Sequence, residues 1–446
     1  MFIDAREIPD GESIEADLCV IGAGAAGITI AGEMIGTRLR VVVLESGGLE
    51  FDEQTQSLYE GRNIGFPDDA IHRDRLRFFG GTTNHWTGHC RPPDPIDFER
   101  REWVPYSGWP ISHTQLRIYY GRAQAVLGLP PYHYEDLDFL VEQSGARPLD
   151  LDPRRLKSVV YNQSPPILFG WESRDELRRA SSVAVYLHAN ALVLESNDTA
   201  STVTAVQVAC IDGPRFVVRA KRFVLAMGGI EIPRLLLLSN KMAPAGLGNN
   251  QDLVGRFFLN HVWVKPVATV VLSAEEITLP LYHDLHEIEG GLMFAVLAPP
   301  DRLMRAEKLR DFRMHIYKKT LSTPGEESLK VLGKALRSGS RPEHLGRHNA
   351  NIASDIGAVT NFVYRRLFNA NADLVEQDVI AGLELLLVSE NTPDPESRVT
   401  LSEDRDLFGQ NRVLVDWRVS DDDLRTVSRA GELAALEIWA PRSGTW

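Results

Sequence analysis

The apolar residues of this chain are gathered into short runs. LCVI, residues 18–21, is continuous between Asp17 and Gly22 and predicts a buried strand. GAGAAG after it opens a helix, and LRVVVLE, residues 39–45, is a second buried strand. Further on, VAVYLHANALVLESN (183–197) and STVTAVQVACID (201–212) have period-2 character and predict a meander leading into the strand RFVLAM (222–227). Gly228 and Gly229 open another helix, with Pro233 in its first turns. The pattern is less regular between 262 and 390, and LELLLVSEN, RVTLS and RVLVDWRV then read as strands. SDDDLRTVSRAGELAALEIWA (420–440) is a helix with Ser420 and Asp423 placed as a capping box.

Composition narrows the class. With 446 residues, 43% of them hydrophobic, the chain can bury the core of one large enzyme body or of two or three domains. Residues 18–36 approach the length of a membrane span, but their glycines and Glu33 fit a strand, turn and helix better, so no span is expected. Cys19, Cys90 and Cys210 are far apart and odd in number. That excludes a disulfide framework and a CxxC-type metal site, and points to a reducing compartment. The first 17 residues carry six acids and one arginine with no apolar core, so no secretory signal is read and a cytoplasmic location is expected. A formal charge of -13 argues against nucleic acid and anionic membranes as partners and favours a small neutral or polar substrate. The basic segments RLMRAEKLRDFRMHIYKK (302–319) and KVLGKALRSGSRPEHLGRH (330–348) are read as solvated faces of amphipathic helices.

Two stretches carry chemistry. In DLCVIGAGAAG, Gly22, Gly24 and Gly27 form G-x-G-x-x-G between strand and helix. The first glycine allows the tight turn, the second lets the backbone reach a diphosphate, and the third lets helix and strand pack closely. Glu45 ends the next strand 23 positions after Gly22, close to the ~20 expected of an acid that binds ribose hydroxyls. An acid there disfavours NADP and leaves NAD and FAD open. The other stretch is the loop FGGTTNHWTGHCR, residues 79–91. Gly80 and Gly81 let its backbone approach a ligand, and Thr82, Thr83, Asn84 and His85 place donors and acceptors beside a flat aromatic residue, a set suited to a planar cofactor.

In order along the chain, the glycine motif, GGTTNHW, RFVLAMGGIEIPRLLLLSN (222–240), DLVGRFFLNH (252–261) and ENTPDPESRVTLSED (390–404) resemble landmarks of the glucose-methanol-choline (GMC) family of FAD oxidoreductases. GGTTNHW is most similar to the pyranose-oxidase and sugar-dehydrogenase branch. The resemblance implies an α/β fold in which a Rossmann-like, glutathione-reductase-like FAD-binding domain joins an α+β substrate domain built on an antiparallel sheet. Residues 1–135 would form the first part of the FAD-binding domain with the loop 79–91, and 136–261 the meander and its second part. Residues 262–446 would form mainly the substrate domain, whose sheet would include LELLLVSEN, RVTLS and RVLVDWRV.

FAD is the implied cofactor, an alcohol or sugar the substrate, and hydride transfer from a CH–OH group to flavin N5 the reaction. Gly22, Gly24, Gly27, Glu45 and Ser46 would hold the diphosphate and ribose, and Val193 the adenine through its main chain. Ala226 and Gly228 would lie beside the diphosphate, and Gly80, Gly81, Thr82, Thr83 and Asn84 would wrap the ring. His85 would either carry the flavin through a covalent bond to its 8α-methyl carbon or neighbour an unlinked one, and His89 is read as structural. The family's catalytic base lies in a C-terminal stretch that returns to the cofactor domain, whereas here no histidine follows His348 and the sequence stops at PRSGTW. An incomplete copy of a longer enzyme and a flavin-binding remnant are both open, little oxidation is expected of the chain as it stands, and no catalytic residue is assigned. An NAD-dependent dehydrogenase is the reading from another class.

Overall fold

The computed structural model describes residues 1–67, 71–165, 169–271, 279–320, 324–338, 344–357, 359–360 and 380–439. Three sheets organise them. The first has the order β1-β7-β3-β2-β10-β9-β8, built from β1 (Phe2–Asp4), β2 (Ser13–Ile21), β3 (Val41–Leu44), β7 (Val183–Leu187), β8 (Asn190–Ser196), β9 (Val203–Ala209) and β10 (Arg215–Leu225). Strands β1, β7, β3, β2 and β10 run parallel, and β9 and β8 continue the sheet antiparallel. All four residues of β3 are buried, as expected of a strand covered on both faces. The helix Ala25–Glu33 makes the crossover from β2 to β3.

The run VAVYLHANALVLESN does not enter the meander whole. Its first half is β7, a parallel strand beside β3, and only its second half, β8, joins β9 and β10. His188 at φ 60° sits in the turn between the two halves, where the chain leaves one end of the sheet for the other.

The second sheet is antiparallel, in the order β11-β15-β14-β13-β6-β5, with β12 paired to β13. Its strands are β5 (His89–Cys90), β6 (Lys157–Gln163), β11 (Val262–Val271), β12 (His286–Ile288), β13 (Gly291–Ala298), β14 (Phe312–Thr320) and β15 (Ile380–Ser389). One face buries Met293, Ala295, Leu297, Met314, Ile316 and Leu385 against Ala430, Leu433 and Ala434 of the helix Asp421–Trp439. Each large apolar side chain so buried contributes roughly 1.5–3 kcal/mol. The capping box that starts this helix forms as its spacing predicts: Asp423 N donates to Ser420 Oγ (3.2 Å) and Ser420 N to Asp423 Oδ2 (2.9 Å). Strands β5 and β6 come from the ranges 1–135 and 136–261, so the sheets do not follow contiguous segments. The long crossover that joins parallel β3 to β7 lets the chain visit the second sheet on the way.

Two further expectations are corrected. RVTLS and RVLVDWRV do not join LELLLVSEN in the second, antiparallel sheet. They form β16 (Arg398–Arg405) and β17 (Asn411–Asp416), a hairpin that pairs with β4 (Gly61–Asn63) as a separate three-stranded sheet. The basic segment 302–319 is only partly helical. Its second half is β14, in which Phe312, Met314 and Ile316 alternate inward, a period of two that overrides its charge. Residues 339–343 of the other basic segment lie outside the described residues. Among the described residues no helix is long and apolar enough to cross a membrane.

Candidate functional site

A cavity of about 300 Å³ lies at the carboxyl ends of β2, β3 and β10, the usual place for a ligand in an open parallel sheet. Gly22, at φ +99°, turns the chain out of β2, and a Cβ on it would meet Ala226 O at 2.8 Å. A Cβ on Gly27 would meet Gly22 O at 1.9 Å, so this glycine serves helix packing and does not face the cavity. Gly24 is different. It caps the helix Ala25–Glu33 without a side chain, and a Cβ built on it meets nothing within 4 Å, because that space is the cavity. The first-turn amides of this helix therefore face open space with the positive end of the helix dipole behind them, a ready site for an anion.

Glu45 is buried, 5% exposed, at the end of β3. Its carboxylate accepts from Ala23 N (2.9 Å), Gly47 N (3.0 Å) and Ser46 Oγ (3.2 Å), and so fixes the glycine turn as well as lining the cavity with Ser46. Ala226 and Gly228 lie opposite. Of the loop 79–91, Gly81, Thr82 and Thr83 reach the cavity wall. Gly80 sits beneath them, its N donating to Ala23 O (2.8 Å), and Asn84 Nδ2 donates to Phe79 O (3.1 Å) and Gly81 O (3.0 Å), which holds the turn in shape.

His85 is exposed and off the cavity wall, with Nε2 3.2 Å from Asp74 O. Val193 is also off the wall. A register shift between Ala191 and Val193 of β8 interrupts the ladder, and the residues before it, Ala189 to Leu192, face the cavity in its place.

Sequence reasoning missed the other wall. Glu231 and Arg234, on the helix Gly228–Leu238, are buried beside it. Glu231 is met by Arg75 (2.9 Å), Arg234 (3.2 Å) and Arg77 (3.5 Å), and Arg234 pairs with Asp406 (2.5 Å). Burial raises the Glu231 carboxyl, but Arg75, Arg77 and Arg234 outweigh it and hold the group down at about 2. Arg75 and Arg77 also cover the Tyr59 ring, at 4.1 and 4.7 Å from its centre. Arg77 reaches the cavity wall and its buried Nε has no partner. A glutamate and an arginine three apart in the apolar run GGIEIPRLLLL were a local signal for part of this cluster. Asp406, Phe408 and Gln410, at the tip of the β16–β17 hairpin, gave none.

Beyond the cavity the loop runs into β5. There His89 stacks on His315 (5.3 Å between centres, 16° between planes), with Phe294 4.9 Å from His89 and Tyr161 5.7 Å from His315. Burial lowers both imidazoles, His315 to about 3 with help from His89 and Arg313, so both are neutral at pH 7.

No protein-family model matches the chain. It is similar to the fructose dehydrogenase large subunit of Gluconobacter japonicus, 25% identical over 323 residues that span 56% of this chain and 59% of that protein. It is also similar to 2-methyl-1,2-propanediol dehydrogenase of Mycolicibacterium austroafricanum, 24% identical over 317 residues, 58% of this chain and 57% of that one. The matches thus span less than two thirds of these relatives' length. Among solved structures, pyridoxine 4-oxidase from Mesorbium loti shares the fold with a TM-score of 0.54 at 14% identity, covering 95% of this chain and 81% of that one. These likenesses bear out the resemblance to GMC oxidoreductases drawn from the motifs.

Proposed function

We propose that this chain is an FAD-dependent oxidoreductase of the GMC type that acts on the CH–OH group of an alcohol or sugar. The observation that carries the reading is the cavity over the helix Ala25–Glu33, where Gly24 leaves room that a side chain would fill and uncapped amides face it. The residues present suit FAD. The first-turn amides would hold the diphosphate, Glu45 and Ser46 stand where a ribose would lie, and the orphaned Nε of buried Arg77 is a donor in want of an acceptor at the wall. When bound, FAD supplies a two-electron acceptor for the hydride of the alcohol carbon.

The chain's own part is placement. Gly81, Thr82 and Thr83 form the wall from which the loop continues to β5, so the sheet face bearing His89, Tyr161, Phe294 and His315 is where a hydroxylated substrate would rest. The neutral imidazoles there can accept hydrogen bonds from hydroxyl groups without bringing a charge into an apolar setting. The test is copurification: flavin bands in the visible spectrum of the isolated protein support the reading, and a colourless protein that takes up NAD in their place removes it.

His85 gives a second test. Because its ring lies exposed at Asp74 O and off the cavity wall, the flavin is expected to be unlinked. Acid precipitation should then leave all flavin in the supernatant. A fluorescent pellet that turns dark in His85→Ala would mean a covalent bond at this residue.

A further inference from the structure

The loop that passes the cavity continues through β5 into the segment 91–101, which meets the start of β14 and the end of β15 in an ionic cluster. Asp94 is held by Arg91 (2.6 Å) and Arg313 (2.9 Å), Asp311 by Arg313, and Glu390 by both terminal nitrogens of Arg101. The side chains of Arg91, Arg101 and Arg313 are only 8%, 3% and 11% exposed, so their charges face the carboxylates and not water. The fourth carboxylate has no such partner. Asp97, partly buried in the helical turn Pro95–Phe98, accepts from Asp94 N (2.7 Å), and among the described residues no cation lies within ion-pair distance of it. Two more cations look in from outside. Lys157, near Asp94, pairs with Asp301 (3.4 Å), and Arg310, near Glu390, pairs with Asp422 (3.4 Å) and Asp423 (3.7 Å). Tyr120, of the helix His113–Val126, also faces Asp97 and brings no positive charge. Four carboxylates thus share three guanidinium groups, and full ionisation leaves one negative charge uncompensated away from water. Burial, with Asp311 and Glu390 close by, pushes Asp97 up to about 7, and burial raises Asp311 as well, against the pull of Arg313.

We propose that Asp97 and Asp311 form a proton-operated brace: while the pair holds one proton the turn Pro95–Phe98 stays docked on β14, and loss of that proton frees the segment 91–101. Opening returns the carboxyl to its ordinary affinity for protons, so a proton is released and opening is favoured as pH rises. The sign is opposite to that of a carboxylate held down by arginines. The brace's contribution is full below the ordinary value of 3.8, falls as pH rises to about 7, and is level beyond. Its residues lie off the cavity wall. The segment it holds begins directly after His89 and Cys90 of β5, so the edge of the sheet where His89 stacks on His315 is firm in mild acid and looser above neutral pH.

The test is amide hydrogen exchange of the full chain without added flavin, from about pH 5 to about pH 8, corrected for the intrinsic pH dependence of exchange. The amides to follow are those of Asp97, Glu99 and Arg101, which donate to Asp94 O, Ile96 O and Ser107 Oγ. In the wild type their protection should fall by up to about ten-fold per pH unit as far as neutrality and then level off, while the amides of β2 and β3 keep theirs. Asp97→Asn retains an acceptor for Asp94 N without the charge, and should stay protected with no such fall. Asp311→Asn removes the other half of the pair and should flatten the profile likewise, which covers the case of a first variant that does not fold. Wild-type protection that does not change with pH overturns the brace, as does a fall of equal size in the wild type and in whichever variant folds. Neither result bears on the flavin reading, since no flavin is present and none of these residues lines the cavity.

Discussion

Gly24→Val should abolish FAD binding while leaving the fold intact. A Cβ at residue 24 meets no protein atom within 4 Å, so the protein without ligand tolerates the side chain. The same branched group would stand in the path of a diphosphate approaching the first-turn amides. Gly24 has an extended conformation, φ -82°, open to any residue, so no backbone strain confuses the result. The expected observation is a protein with the wild-type melting temperature in the flavin-free state and no visible bands after incubation with FAD. Stoichiometric flavin in Gly24→Val would place the cofactor elsewhere. Gly27 is the contrasting control. A Cβ there would meet Gly22 O at 1.9 Å, so Gly27→Val should destabilise the protein itself.

The second large effect is expected at Glu231, and it concerns stability. Its carboxylate lies among three arginines, with Arg77 only 11% and Arg234 only 6% exposed. Removing it in Glu231→Ala leaves buried positive charges facing each other, which typically costs about 3–5 kcal/mol. Acid should reach the same interaction reversibly. The folded carboxyl sits at about 2 against an ordinary value of 4.5. A depressed carboxyl contributes stability that is fully present above the ordinary value and is lost as pH falls through the folded one, here between about 5 and 2. At about 1.4 kcal/mol per unit the loss is about 3 kcal/mol. Thermal melting of wild type and Glu231→Gln across that window should show the wild type falling faster than the variant. Parallel curves, with the variant as stable as wild type at neutral pH, would mean that the cluster does not hold the wall together.

What the sequence made legible and what it hid follow from distance along the chain. The strand LCVI, the strand VVVL, the glycine turn and the capping box at Ser420 are written in a few adjacent residues, because turn geometry, helix ends and burial patterns are local properties. Gly22, Gly24, Glu45, Ser46, Ala226, Gly228 and Gly81 to Thr83 are accordingly found around one cavity. The destination of a strand is not local. RVTLS alternates as any half-buried strand does, and only its hairpin partner's parallel pairing with Gly61–Asn63 decides which sheet it joins. The same holds for the wall opposite the glycine turn, since Arg234 meets Asp406 across a gap that no spacing rule spans. Val193 shows a finer limit. The strand is where its pattern puts it, but a one-residue shift hands the cavity wall to Ala191 and Leu192.

The central claim is that the cavity over the helix Ala25–Glu33 is a flavin dinucleotide site, and its most direct measurement is a titration of the flavin-free protein with FAD and, separately, with NAD. Saturable quenching of flavin fluorescence at one FAD per chain, lost in Gly24→Val and unaffected by NAD, is the expected result. Saturable binding of NAD with no binding of FAD, or FAD binding that survives intact in Gly24→Val, would contradict it.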